Sequence, residues 1–166
     1  MIYSVGYKGL TIEELVRRLI AADVHTVVDV RLRASSRRPG FAEAALARSG
    51  IDYSHERALG NEPSNREASH SGDRSEGRRV MLAHLEQSGG PALARVLDLV
   101  AAHPIALLCV EHDPECCHRQ VVTDRLRALT PPSVSLSLPD RRRRIGSLGG
   151  SWIWLERCGL VLKPGR

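Results

Sequence analysis

The chain has 166 residues, 42% hydrophobic and 26% charged, which suits one globular domain long enough to bury its own core. No run approaches the roughly 18 unbroken apolar residues of a membrane span. Met1 leads directly into a strand-like segment, so neither an anchor nor a signal peptide is expected and the protein is read as cytoplasmic. The net charge of +5 comes from 24 Lys and Arg against 19 Asp and Glu; lysine occurs only at Lys8 and Lys163. Arginine suits bidentate phosphate contacts, although a GC-rich coding sequence produces the same bias. Of four cysteines, Cys116 and Cys117 are adjacent, a poor basis for a disulfide framework, so reduced thiols are expected.

Ile2-Tyr3-Ser4-Val5 reads as a first strand ending at Gly6. Thr11-Ile12-Glu13-Glu14 is a capping box, and Ile12, Leu15, Val16, Leu19 and Ile20 recur at helical spacing behind it, predicting a helix over 12–22. The β-branched run His25 to Val30 reads as a central strand, completing a β-α-β unit. A basic, turn-prone stretch from Arg31 to Gly40 precedes a short helix over 42–49 and a further strand over Ile51 to His55. Residues 60–79 are almost devoid of apolar side chains and are read as a long surface loop.

Helical patterns resume at 78–87 and 92–102, followed by the strongest strand, Ile105 to Val110, continuously apolar as a strand covered on both faces should be. Asp113 and Pro114 are placed as N-cap and first residue of the next helix. Val134 to Leu138 is a last candidate strand. The expected fold is therefore a single three-layer, Rossmann-like α/β domain with a mainly parallel sheet over residues 1–140. A basic, Trp-containing extension over 141–166 carries Arg141 to Arg144.

Ligands of open parallel sheets bind beyond the carboxyl ends of the strands. Those ends carry Gly6-Tyr7-Lys8-Gly9, Asp29-Val30-Arg31 and Glu111-His112-Asp113, so Arg31, Glu111, Cys117, His118 and Arg119 are expected to converge there. The Gly6/Gly9 turn matches no complete phosphate-binding motif and reads first as a tight strand-to-helix turn, with Lys8 in reach of an anion as the lesser reading. Asp29 and Arg31 project to one face, either as a buried ion pair or with Arg31 clamping an anion that Asp29 orients. Cys117, His118 and Arg119 fall just past the first turn of the expected helix, a position that favours anions and lowers a thiol's pKa.

Three chemistries fit this cluster. Cys117 activated by His118 is a nucleophile, although the tyrosine-phosphatase loop spacing is absent. Cys109, His112, Cys117 and His118 could ligate a metal, but their spacing fits no standard zinc pattern, and neither metal nor cofactor is expected. Alternatively Arg31 and Arg119 hold an anionic group while Glu111 and His118 exchange protons. A buried cysteine beside a satisfied core histidine would need none of these. Arg37-Arg38 and Arg141 to Arg144 read either as solvated charge or as a rim for nucleic-acid phosphates.

Val5-Gly6-Tyr7, Asp29-Val30-Arg31, Cys109-Val110-Glu111 and Cys117-His118-Arg119, in this order, resemble the landmarks of the bacterial and archaeal domain of unknown function 488 family. Ser36 to Phe41 and Leu59-Gly60 are similar to it as well, and the resemblance runs from residue 2 to about 138. A proline that often follows the Asp-Val-Arg has no counterpart in Leu32-Arg33-Ala34-Ser35. The resemblance implies a Rossmann-like fold and a shared polar pocket, and names no reaction. The reading taken forward is an enzyme acting on a phosphate-bearing substrate, a nucleotide or nucleic acid. Its catalytic residues would be Glu111, Cys117 and His118. Gly6, Tyr7, Lys8, Asp29, Arg31 and Arg119 would bind substrate, and Arg37 and Arg38 nucleic acid. A non-catalytic nucleic-acid-binding module and a cysteine-dependent transfer or redox enzyme are the alternatives; no membrane partner is expected.

Overall fold

The computed structural model describes residues 1–34, 43–70, 74–129 and 156–158. Strand β1 (Ile2–Gly6) leads into helix α1 (Ile12–Ala21), whose start is fixed by the expected capping box: the Thr11 N–H donates to Glu14 at 2.9 Å and the Glu14 N–H donates to Thr11 Oγ1 at 3.2 Å. Leu15 and Leu19 face inward, but Ile20 is 59% exposed and lies outside the apolar stripe. Strand β2 (Thr26–Asp29), helix α2 (Glu43–Ala47) and strand β3 (Asp52–His55) follow.

The expected loop over 60–79 is instead mostly helix, with α3 (Pro63–His70) packed on α4 (Arg74–His84). Composition concealed it because the pair is joined by polar contacts. Buried Asn65 donates through Nδ2 to Asn61 Oδ1 at 2.8 Å and to the Gly77 carbonyl at 3.0 Å. A wide helical turn over Leu85–Gly89 joins α4 to α5 (Gly90–Ala102), so the chain stays helical from Arg74 to Ala102. Pro91 lacks an N–H, so the regular ladder cannot run through this point.

Strand β4 (Ile105–Cys109) then enters the sheet, and α6 (Arg119–Leu129) closes the second layer. The strand order is β3-β2-β4-β1-β5, with the first four parallel and β5 (Glu156–Cys158) antiparallel along β1. The β1-α1-β2 unit therefore does not pair its own strands. The wholly buried β4 takes the place between them, where its apolar run is covered on both sides. β5 has no forerunner in the sequence reading; Val134 to Leu138 and Arg141 to Arg144 lie outside the described residues.

Alternation along β4 divides the core. Ala106 and Leu108 pack with Tyr3, Val5, Tyr7, Leu15 and Leu19 under α1, whereas Ile105, Leu107 and Cys109 pack with Val28, Val30, Val96, Val122 and Leu126 under α5 and α6. This is the expected three-layer α/β architecture. Among the described residues, no helix is long and apolar enough to cross a membrane.

Candidate functional site

The sheet separates the residues expected to converge. On the α1 face, Asp29 and Arg31 form a closed network. Arg31 Nε donates to both Asp29 oxygens at 2.8 and 3.0 Å, Nη1 to the Tyr7 hydroxyl at 2.7 Å, and Nη2 to the Ala34 carbonyl at 2.8 Å. Tyr53 donates to Asp29 Oδ2 at 2.6 Å, and the guanidinium lies 5.1 Å from the Tyr7 ring centroid. Asp29 is 0% exposed and Arg31 5%. Burial disfavours the Arg31 charge, but the hydrogen bonds and charge of Asp29 outweigh it and raise the pKa further. Burial, and then Asp29, also push the Tyr53 phenol up. Arg31 and Asp29 thus form a buried ion pair, each the counter-charge of the other.

The turn after β4 sits directly on β1. Gly6 passes so close to the Glu111 carbonyl that a Cβ there would overlap it. The tight-turn reading of this glycine is therefore met by a close approach between two backbones. Arg119, 1% exposed, fastens the same turn: Nε donates to Ser4 Oγ at 2.6 Å, Nη1 to the Glu111 carbonyl, and Nη2 to the His112 carbonyl at 3.0 Å. The Glu111 carboxylate points away, toward Lys8 Nζ at 3.9 Å. Gly6, Tyr7, Lys8, Glu111 and Arg119 therefore come together at the carboxyl edge, largely in contact with one another.

The expected helix start at Asp113-Pro114 is corrected. Asp113 does cap a turn there, accepting from the Glu115 N–H at 2.9 Å, but that turn is a single 3-10 turn over Pro114–Cys116. Cys117 is extended (φ −126°, ψ 139°), and α6 begins only at Arg119. Cys117 and His118 thus precede the helix instead of riding on its second turn. The break swings both side chains under the sheet toward Cys109, at the carboxyl end of the central strand.

Here lies the densest chemistry of the described residues. His118 Nε2 donates to the Val30 carbonyl at 2.7 Å, which fixes the ring and leaves Nδ1 facing the sulfurs of Cys109 at 3.9 Å and Cys117 at 3.8 Å. Cys109, Cys117 and His118 Nδ1 all lie within 4.8 Å of one another. A hydrogen bond from Cys117 lowers the Cys109 pKa against the effect of burial, helped by His118 and the Arg119 charge. Cys117, the donor, is pushed up by that bond and by burial. Burial opposes the His118 imidazolium, but the Cys109 hydrogen bond and charge and the Val30 carbonyl raise its pKa overall. His112, weighed as a fourth ligand, is exposed and takes part only through its backbone carbonyl.

Cys117 and His118 also line a cleft of about 290 Å³, open mouth included, whose other walls are Arg74, Gly77, Arg78, Met81, Glu115, Cys116 and Val121. Arg78 donates to Asp124 at 3.1 Å on the exposed surface. Arg74 and Arg78 escaped the sequence reading because 60–79 read as loop. Their signal was the four-residue spacing, which places both on one side of a helix. Arg37 and Arg38 lie outside the described residues.

A family model, described as domain of unknown function DUF488, matches residues 11–126. No curated protein and no solved structure matches the chain.

Proposed function

The chain belongs to the family of the domain of unknown function DUF488, and from that premise we propose an enzyme that acts on a small phosphate-bearing substrate in the cleft between α4 and the 114–118 turn. The observation that carries this reading is the cleft's composition: two arginines, Arg74 and Arg78, at the walls of a pocket that also holds Cys117 and His118. Two guanidinium groups supply the fork-like donors that suit a phosphate.

In this reading Arg74 and Arg78 bind the anion, and Cys117 and His118, with Cys109 behind them, form the reactive centre. Asp29, Arg31, Glu111 and Arg119 act as positioning residues, because their charged groups are turned to protein partners. Binding of inorganic phosphate and mononucleotides, followed by calorimetry in wild type and in the Arg74→Ala/Arg78→Ala double variant, tests this. Binding that drops at least tenfold in the double variant supports it. Equal binding in both proteins, or binding only of long nucleic acid with a steep salt dependence, would sink it and favour the binding-module alternative.

A second reading, cysteine-dependent transfer or redox chemistry, is favoured by the closeness of the Cys109 and Cys117 sulfurs, which lie within 4.8 Å of each other. It requires that Cys117 react faster with a small electrophile than an unfolded thiol does.

A further inference from the structure

We propose that Cys109, Cys117 and His118 bind a soft divalent metal ion of the zinc class through Sγ, Sγ and Nδ1. This deepens the reading above, and rests on it only for the claim that the ion meets substrate.

The first argument is distance. A tetrahedral zinc ion with Zn–S near 2.3 Å and Zn–N near 2.0–2.1 Å sets its ligand atoms about 3.6–3.8 Å apart. The two sulfur-to-Nδ1 separations are 3.9 and 3.8 Å. Two of the three donor separations already stand close to the edges of that tetrahedron, and the third is within 4.8 Å, so binding demands little rearrangement.

The second argument is the orientation of His118. Metal-bound imidazoles donate their other N–H to a carbonyl or carboxylate, which fixes the tautomer that ligates. The 2.7 Å bond from Nε2 to Val30 does this and leaves the Nδ1 lone pair directed at the sulfurs.

The third argument is charge. Arg119 is buried beside the cluster, and its guanidinium is held by neutral acceptors on Ser4, Glu111 and His112. A buried cation whose hydrogen bonds go to neutral acceptors favours anionic sulfur nearby. On binding, each thiol still protonated releases its proton to solvent, and the ion takes two thiolates and a neutral imidazole.

Three protein ligands leave one tetrahedral position. No other Cys, His, Asp or Glu among the described residues joins the group. Two of the three ligands line the cleft, so the remaining position faces the space assigned to substrate. Sites with three protein ligands and one open position are the catalytic type.

Cobalt(II) titration of the full chain, reduced with a phosphine, is the test. Wild type and Cys116→Ser should each take one ion and show thiolate-to-cobalt charge transfer that zinc abolishes. Cys109→Ser, Cys117→Ser and His118→Ala should each weaken binding by at least tenfold. Absence of the band in folded, reduced wild type, or a band undiminished in Cys109→Ser, overturns the proposal. Should the variants fail to fold, X-ray absorption of zinc-loaded wild type decides: two sulfurs in the shell support the site, and none refutes it. Phosphate calorimetry on metal-stripped protein separates the two claims, since loss of the metal site leaves the Arg74 and Arg78 dependence in place, and failure of phosphate binding leaves the cobalt band.

Discussion

His118 Nε2 and the carbonyl oxygen of Val30 stand 2.7 Å apart although 88 positions separate them in the chain. The bond ties the turn before α6 to the end of β2, and so brings a histidine that follows the central strand under the neighbouring strand. It also ranks the family landmarks by role: the Cys109 and Cys117-His118 parts make one cluster, while Asp29 and Arg31 brace the sheet from the other face.

Arg119→Ala should be among the most destabilising single changes. It removes charged donors from Ser4, Glu111 and His112 and leaves the Ser4 hydroxyl buried without one, each charged hydrogen bond being worth about 1.5–3 kcal/mol. We expect a loss of at least ~3 kcal/mol in urea unfolding. Arg119→Lys should recover only part of it, because one ammonium cannot span three acceptors on separate segments.

Gly6→Ala should destabilise by ~1–3 kcal/mol, the usual range for overpacking, because the new methyl occupies the Glu111 carbonyl's place. The turn that leads to Cys117 must then move. Cobalt affinity should therefore fall by more than it does in a surface variant of equal stability, which titration of the folded fraction measures.

Asp29→Asn should cost ~3–5 kcal/mol by leaving the buried Arg31 guanidinium without its counter-charge. Denaturation midpoints check this. Anion affinity at the cleft should stay within about twofold where the variant is folded, since the network lies across the sheet; 1.4 kcal/mol corresponds to tenfold.

In the reduced protein without metal, Cys116 should be alkylated well before Cys109 and Cys117, which are 5% and 6% exposed. Peptide mass mapping after timed treatment gives the order. Zinc should slow Cys109 and Cys117 further and leave Cys116 unaffected.

The framework was legible where one physical signal dominated. The Thr11/Glu14 box fixed α1, and the apolar run from Ile105 marked the central strand. The family was legible from the order of its short motifs. Two features were hidden for identifiable reasons. The α3–α4 pair is joined through Asn65, Asn61 and the Gly77 carbonyl, so no apolar periodicity announced it, and Arg74 and Arg78 were lost with it. The register of the 111–119 turn was misjudged because Asp113-Pro114 is a valid helix start that here yields only one 3-10 turn. Arg31 takes the buried ion-pair alternative that its spacing from Asp29 offered, and Arg119 donates to Glu111 and His112 nearby in the chain and to Ser4, which only the fold brings near.

The most direct test is to titrate isotope-labelled protein with inorganic phosphate and a mononucleotide and follow the backbone amide resonances. The account predicts saturable shifts at Gly77, Arg78, Cys117 and His118, absent in the Arg74→Ala/Arg78→Ala variant. Shifts confined to Tyr7, Lys8 and Arg31 at the carboxyl edge, or no shifts at all, would contradict it.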